Sequence, residues 1–205
     1  DLHSFPTRRS SDLTNGIPGG FTEVQPVGLD ESTFFDLAVA GADGLHTHKS
    51  SLEDLESWVR DAHRAGLTVD AYIAHPDDRH PFGIEAATAQ EVARTARRME
   101  DLGVDMIGLM TGMSYGGAAA GEIPAQIKER LAALVETVSV PTLAEGGINV
   151  TNYEAFRGTG VNVLVVGTSF DDVAREAVAQ TARRYISAES RSEEHTSELQ
   201  SQPTI

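Results

Sequence analysis

The sequence predicts an α/β protein built on a parallel sheet, and three observations carry that expectation. Between Phe21 and Ile186, short apolar runs alternate with amphipathic stretches in six successive βα units. The runs are nearly continuous in apolar residues, VNVLVV at 161–166 most clearly, as strands buried on both faces are. Gly41, Gly66 and Gly103 each close an amphipathic stretch, where a helix C-terminus favours glycine. Strict βα alternation fits both an open doubly wound sheet and a (β/α)8 barrel. Six units are two short of a full barrel.

The elements follow in order. Phe21–Val27 reads as a strand weakened by Pro26. Glu31–Ala40 places Phe34, Phe35, Leu37 and Ala38 at helical spacing behind Asp30. Gly44–His48 is a short strand. Ser51–Ala65 is a helix with Leu52, Leu55, Trp58, Val59 and Ala62 on one face. Leu67–Ala74 is a strand, and the Pro- and His-rich stretch His75–Gly83 is a loop. A helix over Ala87–Leu102 precedes a strand over Val104–Met110. The Gly/Ala-rich loop Thr111–Gly121 leads to a helix over Pro124–Val138, with proline near its start. Val140–Ala144 is a strand, Thr151–Gly158 a short helix, Val161–Val166 a strand and Asp171–Ile186 the last helix. Trp58 and Tyr72 read as core packing.

The two ends stand apart. Residues 1–13 (DLHSFPTRRSSDL) and 191–205 (RSEEHTSELQSQPTI) resemble translated sequencing adapters, one from each side of a library insert. Neither has a clean helix or strand period, so both are expected to be disordered tails around a partial barrel domain over 14–190. The reading frame is then expected to start and stop where the read did, within a longer natural, metagenomic gene.

Composition limits the partners. The chain has 205 residues and a formal net charge of -15, from 16 Lys+Arg against 31 Asp+Glu. Counterion release on a polyphosphate needs a basic face, so nucleic acid is excluded as the expected partner. An anionic membrane surface is excluded on the same ground, and no apolar run approaches the roughly 20 residues of a spanning helix. With no cysteine, disulfides and thiolate metal sites are ruled out, and a cytoplasmic location is expected.

Two turns carry the strongest site signal. Glu145-Gly146-Gly147-Ile148-Asn149 follows one strand and Gly167-Thr168-Ser169 the next. Glycine lets backbone N–H groups approach a dianion, and a helix N-terminus adds favourable partial charge. Gly146, Gly147, Gly167 and Thr168 are therefore the candidate phosphate ligands. A second signal is Leu45-His46-Thr47-His48-Lys49 at a strand end. Alternation would aim His46 and His48 the same way, as acid/base groups or metal ligands, with Lys49 available to an anion. The eleven-residue loop Thr111–Gly121 has the length of a lid, with Thr111, Gly112 and Tyr115 as its candidate contacts. Asp70 lies mid-strand, either catalytic or a buried hydrogen-bonded carboxylate. No carboxylate is placed by spacing beside the histidines, so the metal ligands are left unknown.

From about Glu23 to Ile186 the chain resembles the ribulose-phosphate-binding barrels. It is most similar to the 3-hexulose-6-phosphate synthase branch of the orotidine-monophosphate decarboxylase suprafamily. The likeness rests on Gly41-Ala42-Asp43 ahead of a strand ending near His48, on Leu102–Gly108 leading into Thr111-Gly112, and on Val138–Pro141 ahead of Glu145–Asn149. Val165-Val166-Gly167-Thr168 closes the order. It implies a (β/α)8 barrel of TIM type, truncated at its N-terminus, that binds a phosphorylated sugar such as ribulose 5-phosphate. It implies lyase or aldolase chemistry with His48, Glu23 and Asp70 as candidate catalytic groups, Mg2+ as cofactor, and a homodimer.

Two departures bear on that activity. The family's Asp-x-Lys-x-x-Asp is replaced by Glu23-Val24-Gln25-Pro26-Val27-Gly28, so the lysine charge is absent, and Met110 stands where the synthases tend to have His. A ribulose-phosphate 3-epimerase-like isomerase is the alternative. MTGMSYGG at 110–117 is similar to the lid of those enzymes, and Glu145 stands where they carry an acid/base Asp. A barrel that binds sugar phosphate without turnover is the remaining alternative.

Overall fold

The computed structural model describes residues 22–25, 31–78, 82–113 and 122–200. It divides into two compact units, residues 1–165 and 166–205, where the sequence suggests one domain over 14–190.

The first unit holds the sheet. Its strands are β1 (Glu23–Val24), β2 (Gly44–His46), β3 (Thr68–Ala74), β4 (Ile84–Glu85), β5 (Met106–Met110), β6 (Thr142–Glu145) and β7 (Val163–Val165). All pairings are parallel, in the order β1-β2-β3-β5-β6-β7, with β4 on β3. Sequential strands are neighbours and each crossover carries helix, which is the connectivity of a partial (β/α)8 barrel. The strands are shorter than the apolar runs suggest. β2 ends at His46, two residues early, and β4 lies between the expected loop His75–Gly83 and the expected helix from Ala87, in residues assigned to neither.

The helices of this unit are α1 (Phe34–Ala40), α2 (Leu52–Arg64), α3 (Ala89–Asp101) and α4 (Ala125–Thr137). Ser51 caps α2 by accepting from the Asp54 N–H at 3.1 Å. Thr88 and Glu91 form a reciprocal capping box on α3. α2 buries Leu55, Trp58, Val59 and Ala62, α3 buries Val92, Ala96 and Met99, and α4 buries Ile127, Leu131 and Leu134. They cover the face of the sheet carrying Leu45, Val69, Ala71, Ile73, Ile107 and Leu109, all buried. The stretch expected to be a short helix over Thr151–Gly158 holds a single 3-10 turn, Tyr153–Phe156.

The second unit is one helix, α5 (Thr168–Gln200). It carries exposed Phe170, Val173, Val178 and Tyr185. The helix passes residue 190 without a break, so no change of backbone marks the boundary expected there; residues 1–13 lie outside the described residues. No helix among the described residues is long and apolar enough to cross a membrane.

Candidate functional site

The face of the sheet opposite the helices is polar. Parallel pairing puts partner residues on the same side, and His46 pairs with Asp70 while Glu23 pairs with Gly44 two residues earlier on β2. Asp70 and Tyr72 are two apart on β3, and Met110 pairs with Glu145 at the end of β6. Period-two alternation therefore turns Glu23, His46, Asp70, Tyr72 and Glu145 toward one concave surface.

His46 is the centre. Its Nδ1 lies 2.8 Å from Asp70 Oδ2 and 4.0 Å from Glu23 Oε2, and its Nε2 lies 3.9 Å from Glu145 Oε2. Phe82 stacks on the ring at 4.9 Å and Tyr72 flanks it at 4.7 Å. Phe82 is placed by β4. β5 occupies one edge of β3 up to Ile73, so the Ile73–Ile84 pair must lie on the other edge, just past the end of β2. Tyr72 is placed by Gly108, its register partner: a Cβ there would stand 2.2 Å from the ring.

Three carboxylates share one imidazole, and the electrostatics follow. Burial, reinforced by the charge of Asp70, pushes the Glu23 carboxyl up to about 7. Burial likewise raises Glu145, with His46 opposing. Burial works against an imidazolium at His46, but the hydrogen bond and charge of Asp70, with Glu145 and Glu23, outweigh it and the net shift is upward. The Tyr72 hydroxyl is raised by burial and by the charges of Asp70 and Glu145. Asp70 is fully buried, and its Oδ1 has no hydrogen-bond partner; the Tyr72 hydroxyl is likewise buried without one. A cluster of shifted acids and a histidine at strand ends can move protons at a bound carbonyl compound.

The glycine turn adjoins this surface. Gly146 and Gly147 both take positive φ, 107° and 68°, and turn the chain directly after Glu145. The Gly147 carbonyl accepts from Asn149 Nδ2 at 3.2 Å and Asn152 Nδ2 at 2.8 Å, which holds the turn in shape. Thr111 anchors it from β5: its N–H donates to the Glu145 carbonyl at 2.7 Å, and its hydroxyl donates to the Gly146 carbonyl. Thr111 is therefore a buried fixture of the turn. Gly112 has φ +65°, and a Cβ there would stand 2.3 Å from Asp78 Oδ1. Residues 114–121, Tyr115 among them, lie outside the described residues. Gly167 and Thr168 belong to the second unit, at the start of α5.

The expectation that His48 points with His46 is corrected. β2 stops at His46, and the alternation stops with it. The His48 ring meets Trp58 of α2 edge-on at 5.6 Å, its buried Nδ1 unpartnered, and the Lys49 ammonium lies 4.5 Å over the same indole. Of the residues singled out from sequence, Glu23 and Asp70 come together, around His46; His48 is not among them. Tyr72 was not legible as a site residue, because an aromatic in an apolar run signals core, and Phe82 was not because it lies in the stretch His75–Gly83 expected to be loop. Glu145 had a signal, its place before Gly146-Gly147.

No family model matches the chain, and no curated protein matches it. Solved structures do. Two variants of the tryptophan synthase alpha-subunit from the hyperthermophile Pyrococcus furiosus superpose with a TM-score of 0.55 at 14% identity, covering 71% of this chain and 53% of theirs. The tryptophan synthase complex from Pyrococcus furiosus gives 0.54 at 14% identity, covering 71% and 52%. The chain thus spans about half the length of these proteins. At such identity the likeness concerns fold, and the fold is a (β/α) barrel of TIM type, present in part.

Proposed function

We propose that this chain is part of a barrel enzyme acting on a phosphorylated ketose, ribulose 5-phosphate or a similar sugar, through an enediolate. One observation carries the reading. A half-buried imidazole ringed by Glu23, Asp70 and Glu145 lies on the sheet face that ends in the Gly146-Gly147 turn. Enediolate chemistry needs a base beside a carbonyl-bearing carbon and a polar group at the oxygen that gains charge. Glu145, raised by burial, is the proton carrier in this reading. The Tyr72 hydroxyl and the Glu23–His46–Asp70 group face the developing oxyanion. Gly146 and Gly147, which turn the chain directly after Glu145, take the phosphate.

Two reactions pass through an enediolate, the 1,2-enediolate in one and the 2,3-enediolate in the other. A 3-hexulose-6-phosphate synthase-like lyase removes a proton from C1 of ribulose 5-phosphate and joins C1 to an aldehyde. A 3-epimerase-like isomerase removes the C3 proton on one face, and a second acid group delivers a proton to the other face. Glu145 before the glycine pair favours the second, and the order of motifs along the chain favours the first. A homodimer is part of the same proposal.

The test is proton exchange in D2O. Ribulose 5-phosphate incubated with the chain and followed by NMR is expected to gain deuterium at C1 for the lyase or at C3 for the epimerase. A cooperatively folded chain that catalyses exchange at neither carbon overturns the reading.

A further inference from the structure

We propose that Glu23, His46 and Asp70 form a binding site for one first-row transition-metal ion, Mn2+ or Zn2+ in preference to Mg2+. The inference rests on the proposed function only for the ion's use, which is to polarise the substrate carbonyl; the site itself stands on geometry.

The three residues come from three consecutive strands of the sheet, β1, β2 and β3. Each offers one ligand atom, and these atoms all lie within 4.8 Å of one another. The strand register fixes this spacing, so the site is held by backbone pairing. Two further observations point to a cation. Asp70 is wholly buried with an unpartnered Oδ1, which is costly for a carboxylate unless something positive meets it. Among the described residues no lysine or arginine forms an ion pair with Glu23, Asp70 or Glu145; His46 is the only basic group paired with them.

The donor set selects the class of ion. Mg2+ prefers oxygen ligands in octahedral array, whereas an imidazole with two carboxylates suits Mn2+, Zn2+ and their neighbours. The Mg2+ expected from resemblance therefore fits these residues poorly. Three protein ligands leave positions open to a substrate oxygen, as catalytic sites do. A ligating histidine commonly donates its second ring N–H to a carboxylate. With Nδ1 toward the ion, Nε2 faces Glu145 at 3.9 Å, about 1 Å from a hydrogen bond.

The test uses the full 205-residue chain stripped with EDTA, without sugar. Mn2+ or Zn2+ at a hundredfold excess over Kd is expected to raise Tm by roughly 5–10 °C, and Mg2+ at the same concentration by far less. Titration with Mn2+ should reach one ion per chain, its EPR spectrum showing nitrogen coupling that His46→Gln removes. Asp70→Asn risks the fold, so Glu23→Gln, on the two-residue β1, is the second variant; it should weaken Mn2+ at least tenfold with the circular dichroism spectrum unchanged. Equal response to Mg2+, absence of a stoichiometric ion, or an affinity indifferent to both Glu23→Gln and His46→Gln overturns the proposal. Ion binding without deuterium exchange would defeat the proposed function alone, and exchange without ion binding would defeat this site alone.

Discussion

His46 and Asp70 are direct register partners on β2 and β3, and their side chains meet at 2.8 Å on the polar face of the sheet. A parallel ladder holds partners at fixed spacing, so this contact is as rigid as the sheet. Everything proposed for the site is arranged about it.

The pH dependence of stability follows from the cluster. Glu23 and Glu145 have carboxyls raised by burial, so the folded chain holds their protons more tightly than the unfolded chain does. His46 is raised as well, and what it contributes below about 6.5 is lost as pH climbs through its folded value. All three make stability fall as pH rises above about 4.5, Glu23 through about 7 and His46 above its ordinary value of 6.5. Glu91 and Glu100 act oppositely. Hydrogen bonds from Thr88 and from Ser139 lower them, so their contribution disappears as pH falls below about 4.5. Thermal melts in EDTA should therefore show the highest Tm near pH 5 and a decline toward pH 8. Glu23→Gln should flatten the decline and raise Tm at pH 8 by about 2–4 °C, the effect of roughly 1 kcal/mol at this size. A Tm that climbs from pH 5 to 8 would contradict the cluster's geometry.

The Tyr72 ring lies against Gly108, so Gly108→Ala must displace it. Overpacking of this kind costs about 1–3 kcal/mol. Gly158→Ala is the control, since a Cβ there meets nothing within 4 Å; it should change stability by no more than about 0.5 kcal/mol. Denaturant melts of the two variants that fail to separate would remove Tyr72 from its place over β5.

The glycine turn can be tested by charge at constant size. Gly147 has φ +68°, a conformation that Asn and Asp tolerate better than other side chains. Gly147→Asp should weaken ribulose 5-phosphate binding at least tenfold by calorimetry, and Gly147→Asn markedly less. Equal affinity for the Asp variant and the parent would take the phosphate away from this turn.

The strand–helix rhythm was legible because buried parallel strands and amphipathic helices leave different periods in the residue order. Helix ends were legible at Gly41, Gly66 and Gly103, which take positive φ just past α1, α2 and α3. Strand ends were not. β2 stops at His46 and β4 takes up the same edge of β3 from Ile73 onward, an arrangement that nothing in Gly44–His48 encodes. That one boundary redirected the site from His48 to His46. Glu23 and Asp70 could be named as candidates from residue type, yet their meeting depends on register across strands 21 to 24 residues apart, which no local pattern carries.

The most direct test compares two histidine variants in the D2O exchange experiment. His46→Gln should slow exchange into ribulose 5-phosphate by about 100-fold or more, the usual scale for losing a group that faces the developing oxyanion. His48→Gln, altered only where the ring packs on Trp58, should exchange within a few-fold of the parent. Parental exchange by His46→Gln, or loss of exchange in a well-folded His48→Gln, would contradict the account.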